Sequence, residues 1–260
     1  MIYYKDIYEV EKIRSSSLLV SKTLAELASI IKPGVSPLDL DARAEEFIMD
    51  NQAIPGFKGY KGFPATICAS KNNEIVHGIP NHVPLIDGDI ISIDCGVLKD
   101  GFYGDSAYTF TVGNITEEIE ELLFTTKRCL NEGINNAING KRIGDIGSNI
   151  QKMANDKGYG IVKELVGHGI GKNLHEEPNV PNYGKAGSGT KLSEGLVIAI
   201  EPMLNIGSGE ICTADDGWTI VTKDRSLSAH IEHTLAIGLN APDILSDFKI
   251  IEKEINKIYG

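Results

Sequence analysis

The sequence predicts an α+β (mixed α/β) domain, in which helices pack around a mainly antiparallel sheet. Apolar residues recur at helical spacing in several stretches, and short runs rich in β-branched residues alternate with them. Most of these runs are joined by short turns, which favours hairpins over parallel crossovers. The chain has 260 residues, of which 42% are hydrophobic. Because no linker-like or low-complexity stretch interrupts it, we expect residues 1–260 to form a single domain.

Four helices are predicted from apolar spacing and from start and stop residues. Ser36 is a good N-cap, with Pro37 in the first turn and Asp39 at the third position. Thr116 is a second N-cap, and Gly158 is a stop signal. The predicted helices are residues 7–31, residues 36–50, a helix that begins at Thr116, and residues 144–157.

The predicted strands are short apolar or alternating segments bounded by turn residues. They lie at residues 65–70, 89–98, 107–112, 196–201, 218–223 and 230–237.

Composition limits the class of protein. The net charge is −11, the pI is about 5.0, and no block of Lys or Arg interrupts the acidic surface, which argues against stable nucleic-acid binding. The N-terminal segment MIYYKDIYEVEKIR has no apolar core of a signal peptide, and no apolar run reaches the roughly 18 residues of a membrane span. The scattered cysteines form no CxxC pair. We therefore expect a cytoplasmic protein with reduced thiols and no membrane association.

Two aspartates are predicted to face each other on one hairpin. The turn Lys99-Asp100-Gly101 joins two strands, and an even-length loop places Asp94 opposite or diagonal to Asp105 on the same face. Like charges on a core strand are destabilising unless a shared proton or a metal ion lies between them. The alternative is that one aspartate is exposed at a strand end.

Two glutamates repeat this pattern. Glu201 ends the apolar segment LVIAIE, and Glu232 lies within HIEHTLAI. Taken singly, each is more often an edge-strand or salt-bridged residue than a ligand. Together with the two aspartates and with His168 and His175, they form a set of oxygen and imidazole ligands that suits Mn, Fe, Co or Zn. Four carboxylates balance two divalent ions, the number used to activate a bridging water.

At this point the sequence resembles the type I methionine aminopeptidases. The resemblance runs from about residue 3 to residue 240 and is carried by segments in order: GYKGFPATICASKNNEIVHGIP, IDCGVLKDGFYGDSAYTF, GHGIGKNLHEEPNVPNYG, AIEPML and DGWTIVTKDRSLSAHIEHT. It implies the pita-bread fold, with two pseudo-symmetric halves around an antiparallel sheet. The metal ligands that it implies for two divalent ions are Asp94, Asp105, His168, Glu201 and Glu232.

The resemblance also implies roles around these ligands. Glu201 would accept and donate a proton, His175 would hydrogen-bond the scissile carbonyl, and His77 would contact the substrate near the leaving amide. The free amine of the substrate would bind a metal, which restricts the enzyme to chain ends. The implied methionine pocket contains Tyr60, Phe63, Cys68, His77 and Trp218, with Phe57 and Leu174 at its edges.

Several expectations qualify this assignment. Some relatives have other residues at Phe57, Phe63 and Leu174, which would alter the pocket shape. The alternative for Trp218 is that its indole is buried in the core and does not line the pocket. We expect Cys95 to point into the core on the strand face opposite Asp94, and Glu176 and Glu177 to be solvated loop residues.

Rival functions remain open at this stage. A proline-type aminopeptidase or prolidase has the same fold but usually carries an extra N-terminal domain. A non-catalytic binding protein with this fold should have lost metal ligands, and all of the implied ligands are present.

The implied substrate is the N-terminal Met of nascent polypeptides with a small second residue. We also expect the protein to be a monomer that contacts the ribosome transiently.

Overall fold

The structure, a computed structural model, describes residues 1–259. Helices occur at Ile7–Ala28 (α1), Pro37–Asp50 (α2), Glu117–Asn136 (α3), Ile143–Asp156 (α4) and Phe248–Tyr259 (α5). The four predicted helices are present, and α1 ends three residues earlier than expected. Helix α5 was not predicted.

Helix starts are fixed by capping side chains. The hydroxyl of Ser36 accepts a hydrogen bond from the backbone N–H of Asp39, whose side chain accepts one from the N–H of Ser36. Thr116 caps α3 by accepting from the N–H of Ile119. These bonds satisfy amide groups that have no partner within the helix, so the predicted start positions of both helices are confirmed.

The strands are more numerous than predicted and most are shorter, but the strand predicted at 107–112 is longer and begins at Phe102. They are Ile54–Pro55 (β1), Ile67–Lys71 (β2), Glu74–Val76 (β3), Ile90–Lys99 (β4), Phe102–Thr111 (β5), Gly160–Ile161 (β6), Gly167–Gly169 (β7), Glu176–Val180 (β8), Val197–Ile200 (β9), Met203–Asn205 (β10), Ile211–Thr213 (β11), Ile220–Thr222 (β12), Ser228–His230 (β13), His233–Ala236 (β14) and Asp243–Ile244 (β15).

The strands form antiparallel sheets in two parts of the chain. In the first, β4 pairs with β1, β2 and β5. In the second, the order is β15-β14-β9-β7-β8. There are also two three-stranded sheets, with the orders β13-β10-β6 and β11-β12-β3. The predicted mixed fold with a mainly antiparallel sheet is confirmed.

The two larger sheets meet along β5. The Ser106 hydroxyl donates to the carbonyl of Glu232 at 2.7 Å, and the Thr234 hydroxyl donates to the carbonyl of Asp105 at 2.7 Å. The backbone N–H of Glu232 donates to the carbonyl of Ala107 at 2.9 Å. These bonds bring carboxylates from the two parts of the chain to one place.

The predicted continuous strand 230–237 is wrong. The chain leaves one sheet after His230 and enters another at His233, and Glu232 lies in the break. The physical reason is that the backbone N–H of Glu232 donates to β5, which belongs to neither the sheet of β13 nor the sheet of β14. The break turns its side chain toward the hairpin aspartates.

Helix α1 packs closely on β5. A Cβ atom at Gly104 would lie 2.3 Å from the backbone nitrogen of Ser17, so only glycine fits there. The Ser16 hydroxyl donates to the carbonyl of Phe102 at 2.9 Å. The apolar faces of α1 to α4 cover one side of the sheets in a continuous buried core. Cys95 is fully buried in this core, as predicted.

Candidate metal centre and substrate pocket

The hairpin β4–β5 positions the two aspartates. Asp94 pairs with Ala107 and Gly96 pairs with Asp105, which places the two aspartates diagonally on one face. The predicted register is therefore confirmed. Asp105 is only 3% exposed, and one oxygen of each carboxylate is buried without a hydrogen-bond partner within residues 1–259.

The remaining carboxylates and His168 come from the five-stranded sheet and the chain next to it. His168 lies within β7, Glu201 directly follows β9, and Glu232 directly precedes β14. Because β9 pairs with both β7 and β14, these side chains meet at the same end of the sheet. Ligand atoms of Asp105, His168 and Glu232 lie within 4.8 Å of one another. His168 Nε2 is 3.9 Å from Asp105 Oδ2 and 3.8 Å from Glu201 Oε1.

The electrostatics of this cluster fit a bound cation. Burial raises the pKa of Asp94 to about 7. Burial and the neighbouring carboxylates raise the pKa values of Asp105, Glu201 and Glu232 well above their ordinary range. Four acids this close cannot all ionise without positive charge between them. Buried oxygens of Asp94, Asp105 and Glu232 without hydrogen-bond partners in the described chain point to the same conclusion.

His168 is prepared as a neutral ligand. Burial lowers its pKa to about 4, so the imidazole is uncharged at neutral pH. Its Nδ1 lies 2.9 Å from the carbonyl oxygen of Gly169. A carbonyl can only accept, so the ring proton is on Nδ1. The lone pair of Nε2 therefore faces the space among the carboxylates, where a cation would bind.

A cavity of about 160 Å³ opens beside this cluster. It brings together every residue that the sequence assigned to the metal site or the pocket. The lining residues are Phe57, Tyr60, Lys61, Phe63, Cys68, His77, Asp94, Asp105, His168, Leu174, His175, Glu201, Trp218 and Glu232. Trp218 is half-buried and lines the cavity in edge contact with Phe63, with ring centroids 5.3 Å apart. Its indole is therefore not enclosed in the core.

Two histidines flank the cavity. The backbone of His77 has φ of 59°, a left-handed conformation that costs a non-glycine residue about 1–3 kcal/mol and is common at functional sites. The ring of His175 lies 4.2 Å from that of His168, centroid to centroid. His175 keeps an exposed edge, yet desolvation of its ring and the nearby His168 lower its pKa to about 3. Burial lowers the pKa of His77 as well. Both rings are neutral at neutral pH.

Comparison with known proteins decides the family. The sequence model of metallopeptidase family M24 matches residues 11–238. The methionine aminopeptidase of Clostridium acetobutylicum is 49% identical over 247 residues, which cover 95% of this chain and 99% of that protein. The chain belongs to metallopeptidase family M24.

Solved structures of this family agree with the fold. The crystal structure of methionine aminopeptidase from Rickettsia prowazekii superimposes with a TM-score of 0.94 at 38% identity, over 95% of this chain and 100% of that one. The prolidase from Pyrococcus furiosus gives a TM-score of 0.76 at 22% identity and is covered over 65% of its length, which shows the fold alone. The predicted pita-bread fold and the resemblance to methionine aminopeptidases are confirmed. As a member of a metallopeptidase family, the protein uses divalent metal.

Sequence analysis did not identify two residues beside the carboxylate cluster and the cavity. Lys61 lines the cavity and lies 5.3 Å from the Tyr60 ring centroid. His230 is 1% exposed, and its Nε2 lies 3.7 Å from Glu201 Oε2. The only signal for His230 was its position two residues before Glu232, and for Lys61 there was none.

The expectation that Glu176 is solvated is wrong. Glu176 was expected in a solvated loop, but it begins β8 and forms an ion pair with Lys5 at 2.7 Å, with only 3% of its side chain exposed. The neighbouring Glu177 is exposed, as expected. The two glutamates differ because only Glu176 points toward the N-terminal segment.

Proposed function

We propose that this M24 peptidase removes the N-terminal methionine from nascent proteins and peptides whose second residue is small. The observation that carries the proposal is the buried carboxylate cluster beside an apolar, partly sulfur-lined cavity of amino-acid size. Phe63, Cys68 and Trp218 give that cavity an apolar, polarizable wall suited to an unbranched thioether side chain. The 49% sequence identity to the methionine aminopeptidase of Clostridium acetobutylicum supports the same substrate.

We propose five residues as ligands of two divalent ions, which would be Mn, Fe, Co or Zn: Asp94, Asp105, His168, Glu201 and Glu232. When bound, such ions lower the pKa of a water ligand and polarise a carbonyl. The donor set fits them because it offers hard carboxylate oxygens and one neutral imidazole nitrogen. Cys68 lies across from Asp94, and burial raises the pKa of its thiol well above the ordinary value, so it offers no thiolate to the ions. The number of negative charges matches two divalent cations.

The protein side chains then have separate tasks. Glu201 accepts the proton of the attacking water and returns it to the leaving amine, since its carboxylate is both buried and close to His168. His175 donates a hydrogen bond to the carbonyl oxygen, where negative charge develops. His77 contacts the substrate near the leaving amide. The aromatic wall excludes water and orients the methionine side chain.

Further proposals concern the setting of the reaction. We propose a single catalytic domain that acts as a monomer in the cytoplasm and contacts the ribosome transiently. The net charge of −11 disfavours stable nucleic-acid binding. Among residues 1–259, none of the helices has the length and apolar character needed to cross a bilayer.

The proposal is tested with peptides of the Met-Gly, Met-Leu and Gly-Pro types. Purified protein is stripped with a chelator and refilled with Mn, Fe, Co or Zn. We expect metal-dependent release of methionine from Met-Gly and not from Met-Leu peptides, and the best ion is the one that gives the highest kcat/KM. Cleavage before proline would assign a prolidase activity instead. Absence of any cleavage with metal bound would indicate a non-catalytic binding protein.

A further inference from the structure

The N-terminal segment is joined to the turn that carries His175 by a buried ion pair. Lys5 Nζ lies 2.7 Å from Glu176 Oε2, and the two side chains are only 4% and 3% exposed. The same ammonium donates to the carbonyl of Tyr3 at 3.0 Å. Charged side chains are rarely buried to this extent unless they are paired. The pair therefore fixes the position of Glu176 relative to the N-terminal segment.

Glu176 also binds the backbone of the turn that carries His175. Its second oxygen, Oε1, accepts a hydrogen bond from the backbone N–H of Asn173 at 3.1 Å. The turn is closed further by the N–H of Gly171, which donates to the carbonyl of Asn173 at 3.1 Å. His175 lies between Asn173 and Glu176 in sequence. One carboxylate thus binds the Lys5 ammonium on one oxygen and the turn backbone on the other.

The surroundings leave this pair little freedom. A Cβ atom at Gly171 would lie 2.6 Å from Lys5 Cε and 2.8 Å from Glu176 Oε1. The backbone N–H of Lys5 donates to the carbonyl of Gly195 at 2.7 Å, and that of Tyr103 donates to the carbonyl of Gly171 at 2.8 Å. Lys5 is therefore anchored close to β9, and the turn is anchored on β5.

The turn has two sides. Leu174 and His175 line the catalytic cavity, while Lys172, Asn173 and Glu176 line a separate groove with Tyr3 and Lys5. Among the described residues, the lining of the cavity includes neither Lys5 nor Glu176. The ion pair therefore supports the His175 turn from behind and does not meet the substrate.

We propose that Lys5 is a positioning residue, which acts through Glu176 to hold the turn 171–176 so that His175 faces the scissile carbonyl. This inference rests on the role proposed for His175. Without the ammonium, Glu176 would be a buried carboxylate with no countercharge, and it would move toward water and take the turn with it. A shift of about 1 Å at a catalytic group can lower turnover by about a hundredfold.

The test compares Lys5→Met, Lys5→Arg and a control, Lys157→Met, all loaded with metal and assayed on a Met-Gly peptide. Lys157 also forms an ion pair, with Glu121 at 2.6 Å, but that pair is exposed and joins α3 to the residue that follows α4. We expect Lys5→Met to lower kcat by about tenfold or more with KM within about twofold, because the His175 contact forms in the transition state. Lys5→Arg should recover most of the activity, and Lys157→Met should match the wild type.

A second background separates positioning from a general structural role. In His175→Ala protein, Lys5→Met should cause no further loss of kcat, because the contact through which Lys5 acts is already absent. If Lys5→Met unfolds the protein, the double variant Lys5→Met/Glu176→Met replaces the pair by apolar side chains. That variant should fold, bind metal and still have a low kcat, since the N–H of Asn173 has lost its acceptor.

Two results would overturn the inference alone: a wild-type kcat for folded Lys5→Met or for the double variant, or an equal fractional loss in the His175→Ala background. If wild-type and Lys157→Met proteins both fail to cleave the Met-Gly peptide, the proposed function falls, and this inference falls with it.

Discussion

The ring of His175 lies nearly parallel to the ring of Tyr60, with centroids 5.3 Å apart and an interplanar angle of 17°. The Tyr60 hydroxyl is 3.0 Å from His175 Nδ1. His175 is neutral at neutral pH, because its pKa is lowered to about 3. A neutral imidazole has one N–H, and donation from the hydroxyl to Nδ1 leaves that N–H on Nε2. The role proposed for His175, donation from Nε2 to a substrate carbonyl, therefore requires the Tyr60 hydroxyl to be the donor of this bond.

Tyr60→Phe should separate this effect from packing. The phenyl ring keeps the stacked contact and loses only the hydroxyl, so we expect kcat to fall by about tenfold with little change in KM. Tyr60→Ala removes the ring as well and should also raise KM. Steady-state kinetics on a Met-Gly peptide measures both constants. An unchanged kcat in Tyr60→Phe would show that the hydroxyl does not set the tautomer.

Asp105→Asn should abolish activity and divalent-ion binding while the fold is retained. Desolvation raises the pKa of Asp105, and the neighbouring Glu232 and Asp94 raise it further. A neutral amide at this position removes the unfavourable burial of an ionisable carboxyl in the metal-free protein, so its thermal stability should be at least that of the wild type. Metal content, turnover and thermal unfolding are measured beside Asp156→Asn, an exposed control at the end of α4. Near-normal turnover with bound metal would reject Asp105 as a ligand.

Asp41 gives a stability prediction away from the site. Its Oδ1 accepts hydrogen bonds from the backbone N–H groups of Thr66 at 2.8 Å and Ile67 at 2.9 Å. Asp41→Ala leaves both amides without this acceptor and should cost about 2 kcal/mol or more in the free energy of unfolding. Asp41→Asn keeps an acceptor oxygen and should cost much less. Urea unfolding of both variants measures these differences.

The same residue predicts a dependence on pH. Burial outweighs the two hydrogen bonds and raises the pKa of Asp41 above its ordinary 3.8. A carboxyl whose folded-state pKa is raised contributes stability that is fully present below its unfolded-state pKa and is lost as the pH rises through the folded-state value. Wild-type stability relative to Asp41→Asn should therefore fall between pH 4 and pH 7. An equal difference at both pH values would contradict this assignment.

The sequence predicted the hairpin well because the information is local. The two-residue turn at Asp100 and Gly101 determines the Asp94–Asp105 register without reference to any other part of the chain. The amphipathic pattern of α5 was equally local, with Phe248 and Ile251 on its buried face, and was missed although the signal was present.

Features that depend on distant partners could not be predicted in this way. The break at Glu232 depends on hydrogen bonds to β5, where Ser106 and Ala107 lie far away in sequence. The burial of Glu176 depends on Lys5, which is 171 residues distant. A pair of acidic residues next to a proline is usually solvated, so local composition predicted the opposite.

Trp218 provides an optical test of the proposed methionine pocket. It is the only Trp in the sequence, and it lines the cavity in edge contact with Phe63. A methionine side chain that enters the cavity would displace water from the indole and add a sulfur–aromatic contact. We therefore expect the emission of the metal-loaded protein to shift or lose intensity, with saturation, when L-methionine is added.

Glycine, which carries the same amine and carboxylate without a side chain, is the matched ligand and should leave the emission nearly unchanged. Phe63→Ala should weaken the apparent affinity for methionine, because it removes apolar wall next to Trp218 while it leaves the fluorophore in place. Trp218→Phe should abolish the signal and keep measurable turnover, since an aromatic ring still closes the cavity. If calorimetry detects methionine binding and the emission does not respond, the side chain of methionine lies elsewhere and the cavity has been assigned to the wrong part of the substrate.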